Sequence, residues 1–161
     1  MPESKPAPHP NASCLRAALE RLRSGERSRA ELRGWLRDKG FGEPEVESVL
    51  SHLVERGLQS DTRLAESIAA HYSGRNSIGR DLLRNKLTTR NIANEVIEEL
   101  LSGRDAEAEK RALLQAVERR AARPDPPEKT ARFLASRGFD EEVIEGYLEA
   151  LQGTRPPAIE P

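Results

Sequence analysis

The chain has 161 residues, with 26 Lys and Arg against 27 Asp and Glu and a formal charge of −1. Apolar residues make up 36% and aromatics 4%, too little for one thick globular core but enough for a thin helical protein with much surface. No apolar run approaches the roughly 18 residues that cross a bilayer, the N-terminus lacks the order of a secretion signal, and the single cysteine, Cys14, excludes an intramolecular disulfide. A soluble, cytoplasmic, monomeric protein without membrane contact is expected.

Residues 1–12 are proline-rich and aperiodic and read as a mobile tail. The spacing predicts a first helix from Ser13 to Arg23. Ser28 and Glu31 form a capping-box signature for a second, whose Leu32, Trp35 and Leu36 make an apolar stripe. Gly40 ends it in the left-handed conformation, and Phe41 folds back onto it. Pro44 suits the first turn of a third helix with Val46, Val49, Leu50, Leu53 and Val54 on one face, closed by Gly57.

That ending recurs. The pattern Leu-x3-Gly/Asn-Phe/Ile-x4-Val/Ile-Glu-x2-Leu occurs at Leu36, Gly40, Phe41, Val46, Glu47 and Leu50. It returns at Leu87, Asn91, Ile92, Ile97, Glu98 and Leu101, and at Leu134, Gly138, Phe139, Ile144, Glu145 and Leu148. Offsets of 51 and 47 residues mark a tandem array of one supersecondary unit. Asn91 is the next-best residue for the left-handed turn, and Asp140 caps the last helix. Further helices are predicted from Asp61 to Ser73 and from Asp105 to Ala122, with a bend at Gly74–Ser77 and a stiff connector from Arg123 to Pro127. The expected fold is therefore all-α, an elongated array of three three-helix units and about nine helices. The units span residues 13–58, 59–102 and 103–152, with a second tail over 153–161.

Charge is segregated along the chain. Arg16–Lys39 is +4, Glu43–Asp61 is −4, Arg75–Arg90 is +4, Asn91–Glu109 is −5 and Lys110–Arg123 is +4. In a tandem array equivalent helices align, so like charges gather on one side. The second helices contribute a candidate basic ridge of Arg29, Arg33, Arg37 and Lys39, then Arg75, Arg80, Arg84, Lys86 and Arg90, suited to phosphates or an acidic protein surface. Taken singly, most of these are ordinary solvated helix residues; the ridge as a whole is what argues for a surface. Sparse aromatics give no base-stacking platform. Trp35 and Phe133 share a repeat position and read as packing residues.

No catalytic constellation is legible. His9, His52 and His71 stand far apart without Cys or Asp at ligand spacing, so neither a metal nor a cofactor is expected. Cys14 reads as a small buried residue, and glycine-rich phosphate loops and nucleophile elbows are missing. The chain reads as a binder, not an enzyme.

The run from Gly57 to Ile92 resembles the central block of the RecX family, regulators of the RecA recombinase. Gly57, Leu58, Asp61, Leu64 and Ala65 match its Gly-Leu-x-x-Asp-x-x-Phe-Ala entry, and Ser28, Glu31, Leu32, Leu36, Lys39 and Gly40 match its first-unit pattern. Leu64 stands where an aromatic is usual, Lys86 where an acidic residue is usual, and Asn91 where glycine is usual. The resemblance covers Ser13 to Leu151. It implies a non-catalytic negative modulator that lies along the groove of the RecA–DNA filament and restrains its recombinase, ATPase and SOS co-protease activities. RecA is the implied partner, with single- or double-stranded DNA as an additional contact. The alternative is a helical module that binds DNA or RNA directly.

Overall fold

The computed structural model describes residues 10–120 and 125–153, the side chain of residue 119 apart. The described residues form nine α-helices: α1 (Ala12–Arg23), α2 (Arg29–Asp38), α3 (Glu43–Glu55), α4 (Asp61–His71), α5 (Arg80–Thr89), α6 (Asn94–Ser102), α7 (Ala106–Val117), α8 (Pro127–Ser136) and α9 (Glu141–Gly153). Short 3-10 turns at Gly74–Asn76 and Glu118–Arg120 complete the order, and no strand is present among the described residues.

Local chemistry explains the boundaries. Asn11 caps α1 by accepting from the N–H groups of Ser13 and Cys14 at 3.0 and 3.1 Å, so the helix begins inside the segment expected as a tail. Ser28 Oγ accepts from Glu31 N–H at 3.1 Å while the Glu31 carboxylate accepts from Ser28 N–H at 2.9 Å, closing the expected capping box of α2. Gly40, Asn91 and Gly138 turn the chain after each unit's second helix with φ of +91°, +51° and +77°. Asp140 accepts from Glu142 N–H at the start of α9.

Some expectations shift. The helix expected from Asp61 to Ser73 stops at His71, and the Gly74 bend is a 3-10 turn. The helix expected to reach Ala122 ends at Val117 and tightens into a 3-10 turn through Arg120. Val54, expected on the core face, is 44% exposed: the buried stripe of α3 is Val46, Val49, Leu50 and Leu53, and Val54 lies one residue past it at the edge of that face. Of the expected tails and the Arg123–Pro127 connector, residues 1–9, 123–124 and 154–161 lie outside the described residues, while Gly153 ends α9 instead of opening the second tail.

Three apolar clusters lie in chain order, and none shares a residue with another. The first gathers Cys14, Leu32, Leu36 and Leu50; the second Leu64, Ile78, Leu87 and Leu101; the third Leu113, Leu134, Phe139 and Ile144. Each is small, so the stability of a unit depends on its neighbours as well as its own core.

Units two and three meet backbone to backbone. Gly79 N–H donates to Arg137 C=O at 2.8 Å and Asp81 N–H to Gly138 C=O at 3.2 Å. A Cβ on Gly79 would stand 2.0 Å from the Gly138 carbonyl oxygen, and neither backbone can move aside without breaking those bonds. Ser77 Oγ donates to Gln115 Oε1 at 2.9 Å, and α7 packs on the 3-10 turn of unit two. Behind them the buried Glu109 carboxylate accepts Arg80 N–H at 2.7 Å and pairs with Arg104.

Gly79→Ala is expected to destabilise the protein by about 2 kcal/mol or more, as overpacking against rigid backbone does. Gly34→Ala, on an exposed turn of α2 where an added Cβ meets nothing within 4 Å, is expected to stabilise by about 0.5–1 kcal/mol. Thermal denaturation of both variants, with hydrogen exchange at Gly79 and Asp81, checks the pair.

Candidate functional site

The structure divides the sequence-predicted ridge by the partners its members find. On α2, Arg29 and Arg33 reach the Glu47 carboxylate of α3 at 3.0 and 2.6 Å, and Arg37 reaches Glu43 at 3.3 Å. On α5, Arg84 pairs with Glu98 of α6. Arg33 and Arg84 share one repeat position, and Glu47 and Glu98 are the glutamate of the repeat pattern, so both units carry the same clamp between their second and third helices. In unit three the arginine position is Ala131, and the clamp is missing at Glu145. The Arg33 hydrogen bond holds the Glu47 carboxyl below its usual range, against a smaller opposing effect of burial. Arg80 Nη1 donates to Arg104 C=O at 3.3 Å.

Arg90 is a junction residue. Its Nε donates to Glu31 Oε1 at 2.7 Å, and its Nη2 donates to Glu31 Oε2 at 3.2 Å and to Glu26 C=O at 3.0 Å, all in unit one. Arg137 holds the same repeat position in unit three, and its Nη1 donates to Ser77 C=O of unit two at 3.4 Å. Glu26 and Ser77 are themselves 51 residues apart. One clasp, an arginine at the end of the second helix reaching back to the preceding unit, is thus used at both junctions. Around it, Arg29 N–H donates to Asp61 Oδ1 at 2.8 Å, Gln59 Nε2 donates to Arg27 C=O at 3.2 Å, and Arg63 pairs with Glu26.

Lys39, the unit-one member of that position, has no earlier described unit to reach. Its ammonium lies 5.3 Å from the Trp35 ring centroid, with Arg21 also over the ring at 5.7 Å. Phe133 is flanked in the same way by Arg120 at 4.2 Å and Arg137 at 5.3 Å. Both aromatics are half-buried against their cores, the packing role expected for them. Lys39, Arg37 and Arg75 are exposed, as is Lys86, which lies over the Tyr72 ring at 5.8 Å.

Among the described residues no three His, Cys, Asp or Glu side chains assemble as metal ligands, and no helix is long and apolar enough to span a membrane. Cys14 is fully buried, and burial followed by the charge of Glu45 raises its thiol pKa.

Residues 14–53, from α1 to the last turns of α3, match the family model described as RecX, first three-helix domain. A regulatory protein RecX from Chromohalobacter salexigens is 36% identical over 143 residues, covering 86% of this chain and 93% of that protein. The chain belongs to the RecX family. The regulatory protein RecX of Chlorobaculum tepidum is 32% identical over 144 residues, 88% of this chain and 90% of its own. The crystal structure of RecX from Lactobacillus salivarius superposes with a TM-score of 0.75 at 21% identity, covering 88% of this chain and 96% of that one, and so shares the RecX fold. As a RecX-family member whose relatives are named regulatory proteins, the chain is a regulator.

Sequence reading missed the junction role of Arg90 and the part played by Glu31 beyond its cap. The signal was available: cations recur at Lys39, Arg90 and Arg137 in register with the repeat.

Burial alone would raise the Glu31 carboxyl, but the Arg90 hydrogen bond, the Ser28 N–H and the charges of Arg90 and Arg27 together hold it below its usual value. Its contribution is therefore complete above the unfolded-state value of about 4.3 and is lost as the pH falls through the lower folded value. Glu31→Gln keeps a capping side chain while removing that charge. It is expected to cost about 1–2 kcal/mol at neutral pH and to flatten the acid limb of the stability curve. A double-mutant cycle with Arg90→Ala checks it, since fully additive losses would deny the clasp. Conversely, Ala131→Arg is expected to complete the third clamp with Glu145 and to add about 0.2–0.5 kcal/mol, read by urea denaturation.

Proposed function

We propose that this regulator is a non-catalytic negative modulator of RecA. It lies along the groove of the RecA–DNA filament and limits filament growth, ATP hydrolysis, strand exchange and assisted self-cleavage of the SOS repressor. It acts as a monomer in the cytoplasm and needs no cofactor. The observation that carries this reading is RecX membership across all three units, at 36% identity over 86% of the chain.

The architecture supports it. A row of three units engages a polymer at several points, and weak contacts on one scaffold multiply through effective concentration. Arg29, Arg33, Arg84 and Arg90 are held by carboxylates, whereas Lys39 and Arg75 are exposed without an ion pair among the described residues and Arg37 is 61% exposed in its pairing with Glu43. Exposed cations of this kind steer encounter with acidic surfaces and with bound DNA.

Added at stoichiometric amounts to RecA, single-stranded DNA and ATP, the protein is expected to suppress hydrolysis and strand exchange; unchanged rates would remove the proposal. The variant Arg37→Glu, Lys39→Glu, Arg75→Glu is expected to require at least tenfold more protein for half-inhibition while keeping its helical circular dichroism. Tight binding to bare DNA with a steep salt slope, without any effect on RecA, would establish the direct nucleic-acid reading instead.

A further inference from the structure

A cleft of about 650 Å³ opens between units one and two, and the repeat explains why it is there. Position 86 lies 51 residues after Trp35 and 47 before Phe133, so Lys86 stands where the other two units place an aromatic ring. In unit two no bulky side chain fills that space. The lysine ammonium lies over Tyr72 instead, and the cleft is bounded by one face of α4, the end of α5 and the loop before α2.

The lining has two characters. Leu64 and Ile68, at successive turns of α4, and Tyr72, which caps that helix, supply an apolar floor. Arg27 and Lys86 supply charge from opposite elements. Neither forms an ion pair with a carboxylate among the described residues. Arg27 Nη1 donates only to Glu26 C=O, and its Nε is enclosed with no acceptor in the protein. The carboxylates nearby are already engaged, Glu26 by Arg63 and Glu31 by Arg90. Arg27 helps to lower the Glu31 pKa without pairing with it. The cleft therefore carries two cations without an ion-pair partner among the described residues, beside apolar surface and the Arg63-bound Glu26.

We infer that this cleft is a docking site for an acidic peptide segment of the protein partner, one that places an Asp or Glu carboxylate between Arg27 and Lys86 and an adjacent apolar side chain on the α4 floor. A carboxylate there would make charge-assisted hydrogen bonds to two donors in a partly desolvated setting, and the floor would bury its apolar neighbour. Nucleic acid fits less well. A phosphate backbone is read by rows of cations at regular spacing, whereas this cleft offers two cations and an apolar floor. The inference takes from the functional proposal only that the partner is a protein; the chemistry of the cleft stands on its own residues.

The test is an amide NMR titration of the full-length ¹⁵N-labelled protein with the N-acetylated, C-terminally amidated hexapeptide Asp-Leu-Glu-Phe-Asp-Leu. Saturable shifts are expected at Ser67, Ile68, His71 and Thr89, and the amide analogue Asn-Leu-Gln-Phe-Asn-Leu is expected to give none. Lys86→Glu is expected to weaken binding at least tenfold by reversing the charge. Lys86→Trp, which restores the ring found in unit one, is expected to abolish it by filling the cleft. Lys86 is exposed, so both variants should keep the parental circular dichroism, and if the Trp variant loses helix the Glu variant decides alone. Shifts elsewhere on the molecule, binding undiminished in Lys86→Glu, or stronger shifts at the same amides with dT12 would each overturn the inference. Failure to inhibit RecA would remove the named partner but not the titration result, whereas a silent titration beside intact inhibition would remove the cleft alone.

Discussion

At the end of each unit's second helix a cation is followed by a residue in the left-handed conformation, and this adjacency ties helix termination to the joining of units. Gly40, Asn91 and Gly138 reverse the chain so that the third helix packs back on its own unit. The same reversal leaves the preceding side chain pointing outward, where Arg90 and Arg137 reach carbonyls 51 residues apart on the units before them. A cluster of six to eight buried side chains cannot hold three helices far from water by itself. Coupling each turn to a neighbour makes the array cooperative without a shared core.

The two junctions nevertheless differ in kind. Between units two and three, main-chain hydrogen bonds run across the contact and two glycines approach so closely that no Cβ fits on Gly79. Between units one and two the links pass through side chains, among them Arg90 to Glu31, Arg63 to Glu26 and Gln59 to Arg27. Backbone bonds fix position to fractions of an ångström and respond little to salt. Ion pairs on long side chains tolerate small rotations and weaken as ionic strength rises. The second junction thus rests on main-chain bonds and the first, with the cleft beside it, chiefly on side-chain contacts.

Charge segregation in the sequence serves more than one purpose in the structure. The +4 and −4 blocks of unit one become the seam in which Arg29, Arg33 and Arg37 face Glu43 and Glu47. The blocks of unit two form the Arg84–Glu98 clamp. Pairs this exposed add little stability and chiefly set helix register. Of the ridge cations, Lys39, Arg75 and Lys86 stay outside the seams, and they are spread over units one and two.

The sequence by itself determined the nine helices, the capping box of α2 and the Asp140 cap of α9, the left-handed turns and the division into three small cores. Each of these follows from local preferences, the 3.6-residue apolar period and the few residue types that tolerate positive φ, which act over a turn or two of chain. Family membership was legible for the same reason, because it rests on the order of those local patterns. Only the tertiary structure decided which arginines are spent on carboxylates, that Arg90 belongs to a junction, that Val54 faces water, and that Gly79 is required for a backbone contact with a glycine 59 residues later. Those outcomes depend on the angles at which helices and units pack, and an electrostatic partner a few ångströms away is fixed by that geometry rather than by sequence distance.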